Sequence, residues 1–168
     1  MTRISKPQYY VNIAMTVASR GTCNIRNYGA VIVKDDRIVS TGYTGSARGF
    51  PNCIDSDEKC ERMRVGVPSG VGFGTSSCPS VHAEMNAIIN ASVGDMNGAV
   101  LYLACIPSKF GLVVRDPEPC PFCRRMILNT GIVEVIAPKI DGTLRAITRS
   151  QLAELERQAI DEQKSVKT

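Results

Sequence analysis

Ala99-Val100-Leu101-Tyr102-Leu103 and Ile132-Val133-Glu134-Val135-Ile136 read as two strands, and Pro121–Asn129 between them reads as a helix. A strand, a crossover helix and a second strand make a parallel unit whose sheet needs cover on its faces. Upstream, Val81 to Ala91 reads as a helix with an apolar face of Met85, Ala87, Ile88 and Ile89. Earlier still, Ala30-Val31-Ile32-Val33 and Arg37-Ile38-Val39-Ser40-Thr41 flank Lys34-Asp35-Asp36, the pattern of a β-hairpin with a short turn. Ile4 to Arg20 carries Tyr9, Val11, Ile13, Ala14 and Val17 at helical spacing. Ser150 to about Glu162 reads as a polar-faced helix with Ser150 as its N-cap. Strands alternating with helices imply an α/β sandwich, and the hairpin makes its sheet mixed.

With 168 residues the chain suits one core, so residues 1–168 are read as one domain. The stretch at about 42–80 has no clear periodicity and holds Cys53, Cys60 and Cys78; loops of such length are uncommon unless they are functional or tied down. No stretch approaches the roughly 20 apolar residues of a membrane span. The first residues lack the apolar region of a secretory signal, so a cytoplasmic protein is expected. The net charge of +4 is spread out and aromatics are 5%, which argues against a nucleic-acid polymer as partner and suits a small nucleotide or base. Seven cysteines in such a setting point to metal rather than disulfides, although Cys105, inside an apolar run, reads as a small buried hydrophobe.

The chain's single histidine lies in His82-Ala83-Glu84 and opens a helix. Pro119-Cys120-Pro121-Phe122-Cys123 opens the later helix. Zinc takes nitrogen and sulfur ligands in a tetrahedron, and a catalytic site leaves one position for water. His82, Cys120 and Cys123 supply three ligands. Thiols at a helix N-terminus are readily ionised, and Pro121 fits a first-turn position that needs no N–H. Glu84, two residues from His82, stands beside the metal rather than on it and can carry a proton. The order H-x-E then P-C-x-x-C is the zinc deaminase signature.

The chain resembles the cytidine deaminase superfamily, and most of all its bacterial deoxycytidylate (dCMP) deaminase branch. Arg3-Ile4-Ser5, Thr22-Cys23, Gly29-Ala30-Val31-Ile32-Val33, Gly42-Tyr43-Thr44-Gly45, Cys53, Cys60, Cys78 and His82-Ala83-Glu84-Met85-Asn86-Ala87-Ile88 stand in the family's order. The resemblance implies a three-layer sandwich whose central mixed sheet has about five strands flanked by helices. It implies zinc on His82, Cys120 and Cys123, with Glu84 shuttling protons while hydroxide attacks C4 of the pyrimidine and ammonia leaves. It also implies a homo-oligomer, dimer or hexamer, and a deoxynucleoside triphosphate effector. The leading expectation is hydrolysis of dCMP to dUMP. The alternatives are another base or nucleoside, a purine or pterin-like ring, a tRNA adenosine, or a non-catalytic zinc-stabilised nucleotide sensor.

Departures from the family bear on the substrate. Thr44 stands where the family has an asparagine that helps to hold the nucleotide, and Glu118-Pro119-Cys120 is similar to purine deaminase wording. Thr44, Ser46, Arg48 and Ala83 are the candidate substrate contacts. The resemblance places a second, structural zinc near Cys53, Cys60 and Cys78, with Cys23, Asp57 or Glu58 as the fourth ligand; buried or redox-labile thiols are the other reading. Arg124-Arg125 reads as an exposed helix face at a subunit contact.

Overall fold

A two-residue turn, Asp35 and Asp36 with φ of 50° and 61°, joins β1 (Arg26–Lys34) to β2 (Arg37–Tyr43). Positive φ at both positions matches the twist of the flanking strands and makes the hairpin tight. Asp36 is held by Lys6 at 2.5 Å and by the Tyr10 hydroxyl at 2.7 Å. Both anchors lie on α1 (Lys6–Ala18), which Ser5 caps by accepting from the Gln8 N–H. The computed structural model describes residues 3–56, 60–67, 78–109 and 116–165.

The sheet runs in the order β2-β1-β5-β6-β7, with β5 at Val100–Pro107, β6 at Glu134–Pro138 and β7 at Leu144–Thr148. Only β5 and β6 pair in parallel; the other three pairings are antiparallel. The parallel crossover is therefore as the sequence indicates, while β7, a short strand of mixed polarity, escaped that reading. β6 also starts at Glu134 rather than Ile132, which is buried just before it.

Alternating side chains divide the core into two layers. Tyr10, Val11 and Ala14 of α1 pack on Val31, Val33, Tyr102, Ala104 and Ile136. On the opposite face Ala30, Ile32, Leu101, Leu103 and Val135 meet α3 (Ala83–Ile89), α5 (Pro121–Asn129) and α6 (Arg149–Ser165). The result is a three-layer α/β sandwich with a five-stranded mixed sheet. Two glycines set its thickness. A Cβ at Gly29 would lie 2.1 Å from the Ala14 carbonyl, and one at Gly42 would lie 2.2 Å from the Ala87 nitrogen. Each absent side chain lets a helix backbone approach the sheet.

α3 is shorter than its periodicity suggests. Val81 belongs to a two-residue strand, β4 (Ser80–Val81), paired with β3 (Gly45–Ser46), and Ile89 is 68% exposed rather than on the core face. What fixes α3 is polar: Ser40 Oγ donates to the Ala87 carbonyl, Asn86 to Tyr43 and Asn90 to Thr41. The segment between Gly42 and Pro79 also contains a 3-10 turn at Cys53–Asp55 and α2 (Glu61–Arg64). A short α4 (Val93–Met96) follows α3. The N-cap of α6 is Thr148, not Ser150. Its hydroxyl accepts from the Gln151 N–H, and the Gln151 side chain accepts from the Thr148 N–H, a reciprocal capping box. Among the described residues no helix is long and apolar enough to cross a membrane.

Candidate metal centre

His82 is the N-cap of α3 and Cys120 is the N-cap of α5. Both sit where the chain turns from extended into helical backbone, and both helices lie on the same face of the sheet. The His82 ring makes no capping bond. Its Nδ1 lies 3.4 Å from Cys120 Sγ and 3.4 Å from Cys123 Sγ. A tetrahedral zinc with ordinary Zn–S and Zn–N bonds separates N from S by about 3.5 Å, so the donor set fits that ion without rearrangement. Among the described residues this is the one group of three metal-binding side chains whose ligand atoms come within 4.8 Å of one another.

The protons follow from this geometry. The Cys120 thiol is pulled down to about 4, first by its hydrogen bond with Cys123 and then by His82 and the Cys123 backbone N–H, against the opposing effect of burial. The same thiol–thiol bond, together with burial, pushes the Cys123 thiol up. Burial opposes the charged His82 ring, but Cys120 and the charge of Glu84 outweigh it and raise its pKa. Glu84, in the first turn of α3, is 4% exposed, and burial raises its carboxyl to about 7. It also bonds the Cys123 thiol. A carboxyl that exchanges its proton near neutrality in the metal-free protein therefore touches one of the three candidate ligands.

The other candidates are scattered. Thr44 is buried, and its hydroxyl accepts from the Tyr28 N–H at 3.1 Å. Ser46 faces the Cys53 thiol, and Arg48 lies exposed in the following turn. The Ala83 methyl is in the core, which leaves its backbone as the only part that could meet a ligand. Cys23, Cys60 and Cys78 lie within electrostatic reach of Cys53, whose thiol is pushed up mainly by burial, but these sulfurs do not reach ligand spacing. Asp57 and Glu58 lie outside the described residues. Cys105 is buried in β5.

Two features had no signal in the motifs. Arg62 of α2 places a positive charge near enough to oppose protonation of His82. Arg124, read from sequence as surface, is 7% exposed and paired with Glu156. A charged residue at this position looks like solvated helix until α6 is known to cover it.

Residues 4–139 match the family described as the cytidine and deoxycytidylate deaminase zinc-binding region. The chain belongs to this family. It is 34% identical over 142 residues to the deoxycytidylate deaminase of Mycobacterium phage D29, covering 83% of this chain and 98% of that protein. It is 33% identical over 136 residues to the deoxycytidylate deaminase of Saccharomyces cerevisiae, covering 81% of this chain but only 38% of the yeast protein. Among solved structures, cytidine deaminase from Burkholderia pseudomallei superposes with a TM-score of 0.58 at 16% identity, over 89% of this chain and 96% of that one. The deaminase fold expected from the sequence is thus the fold observed.

Proposed function

We propose that the protein hydrolyses dCMP to dUMP and ammonia, with zinc on His82, Cys120 and Cys123 and with Glu84 as the proton carrier. The observation that carries this reading is a buried carboxyl at the edge of a three-ligand His/Cys/Cys set. A purely structural site uses four protein ligands and has no need of such a group. Bound there, zinc supplies the Lewis acidity that brings a water to a pKa near neutral. Glu84 Oε accepts a proton and returns it to the departing amino group, a task its burial beside the donor set suits. His82 and Cys120 are held by the helix starts, so the site is organised before substrate arrives. The substrate is inferred from the two deoxycytidylate deaminases above, one of which the chain matches over almost its whole length.

The test is ammonia release by the zinc-loaded protein from dCMP, dCTP, cytidine, cytosine, guanine and adenosine, with dCTP also added as an effector. dCMP should give the highest kcat/KM. A protein inactive on dCMP and active on another member of the panel would transfer the mechanism to that substrate.

A second zinc on Cys53, Cys60 and Cys78 with Cys23 belongs to this proposal. Its support is the gathering of Cys23, Cys60 and Cys78 around Cys53, the last three in a segment with little regular structure. Binding would draw the sulfurs together and tie that segment down. A cytoplasmic location belongs to the same proposal, because cysteines clustered in the manner of metal ligands suit a reducing compartment. Assembly into a dimer or hexamer is supported by exposed apolar side chains at the α3–α4 corner, Ile89 at 68% and Val93 at 80%.

A further inference from the structure

Pro117-Glu118-Pro119 leads directly into the Cys120 ligand, and every residue of it is gripped by an arginine. The Pro117 carbonyl accepts from Arg145 Nη2 at 3.4 Å. Glu118 pairs with Arg145 at 3.2 Å and lies 3.7 Å from Arg124. The Pro119 carbonyl accepts from Arg124 Nη1 at 3.2 Å. Proline has no N–H, so that carbonyl is the only polar handle on the fully buried residue next to the ligand. Arg124 in turn is held by Glu156 of α6, with Nε 3.3 Å from the carboxylate, and both residues are 7% exposed.

Buried ion pairs are poor stabilisers, because losing water costs the charges about as much as their attraction returns. Their advantage is direction: a guanidinium binds a carboxylate and a carbonyl only in fixed geometry. Here that geometry runs from α6 through Glu156 and Arg124 to the peptide that sets Cys120. Arg145 and Glu156 both lie beyond residue 139, where the family match ends. Glu118, Pro119 and Arg124 lie within the match.

We propose that Arg124 is a positioning residue for the Cys120 ligand and that Glu156 aims it, so that α6 acts as a clamp on the metal centre. The proposal rests on the reading of His82, Cys120 and Cys123 as zinc ligands. Removing the clamp lets the Pro119–Cys120 peptide rotate and loosens one ligand of three. Outer partners of metal ligands typically change metal affinity by about 10–100-fold.

The experiment uses the full chain loaded with cobalt(II), whose visible spectrum reports tetrahedral sulfur–nitrogen ligation, and zinc competition against a chelator. Arg124→Met should weaken zinc by roughly 10-fold or more, shift the cobalt band and lower kcat more than it raises KM. Glu156→Gln should act in the same direction by a smaller factor, and Arg124→Lys should restore only part of the affinity. Arg157→Gln, which removes a 70% exposed charge from the same helix, should leave the cobalt spectrum unchanged. If Arg124→Met does not fold, Glu156→Gln decides alone. Wild-type zinc affinity and an unaltered cobalt spectrum in the folded variants would overturn the clamp. Cys120→Ala serves as the control: if it too binds metal like wild type, the ligand assignment has failed rather than the clamp.

Discussion

The protein carries two cysteine-bearing regions, and they differ in what holds them. Cys120 and Cys123 ride on the first turn of α5, facing His82 at the first turn of α3, and all three ligand atoms are already at metal spacing. Cys23, Cys53, Cys60 and Cys78 come from loops, a 3-10 turn and the flanks of very short elements. They surround one another without closing. Helix starts fix both backbone direction and local charge, which brings thiols placed there close to metal spacing. Loops bring the right atoms into the same neighbourhood and leave the final distances to a ligand.

The largest effect should come from removing that rigid set. Cys120→Ala or Cys123→Ala should lower zinc content by about one ion per chain and reduce turnover to background, since two ligands cannot hold an open catalytic site. Cys60→Ser in the other region should lower the zinc count and speed proteolysis there, while kcat stays within about threefold. Metal analysis with limited proteolysis reads both. A wild-type count of one, lost completely in Cys120→Ala, would remove the second ion and leave the loop thiols as a structural cluster.

Glu84 sharpens the comparison next, because it separates chemistry from metal binding within the rigid region. Glu84→Gln keeps the shape and the zinc but removes the proton carrier, and kcat should fall by roughly 10²-fold or more. The same residue gives the metal-free protein a pH dependence. Its folded pKa of about 7 lies above the ordinary 4.5, so the folded state binds the proton more tightly than the unfolded chain does. That contribution is complete below pH 4.5 and is lost as pH rises through about 7. Denaturation of the metal-free protein should therefore show falling stability across that window, and Glu84→Gln should flatten the slope. A slope equal in both proteins would place the titration elsewhere.

Much of this was legible in the sequence, and the reason is physical. Periodicity located α1, α5 and β2 because each buries one face, whereas β1 and β5, buried on both faces, stood out as short continuous apolar runs. The gathering of His82, Cys120 and Cys123 was readable because zinc chemistry points to few residue types at short spacing on helix starts. β7 was missed since its burial is mixed, and the N-cap of α6 was misplaced because Ser150 and Thr148 are both good caps. Only the partner Gln151 distinguishes them, by bonding back to Thr148. Arg124 was misread for a related reason. Whether an arginine is solvated or buried depends on Glu156, more than thirty positions away, and no local pattern carries that information.

The smallest effect is expected at Thr44, which lies between β1 and the loop that carries Cys23. Its backbone N–H donates to Tyr28 and its carbonyl accepts from Thr22, next to Cys23, while its hydroxyl accepts from the Tyr28 N–H. That hydroxyl therefore has a structural partner, at the position where the resemblance implied a substrate contact. Thr44→Val keeps the shape and leaves the Tyr28 N–H without its acceptor, which should cost about 1 kcal/mol in chemical denaturation. If the role is only structural, kcat/KM for dCMP should change by less than about threefold in the folded enzyme, and Thr44→Ser should restore the stability. A fall of about 100-fold or more, with stability hardly altered, would instead put the hydroxyl on the substrate, because a polar group left unpaired in a binding site discriminates by factors of that size.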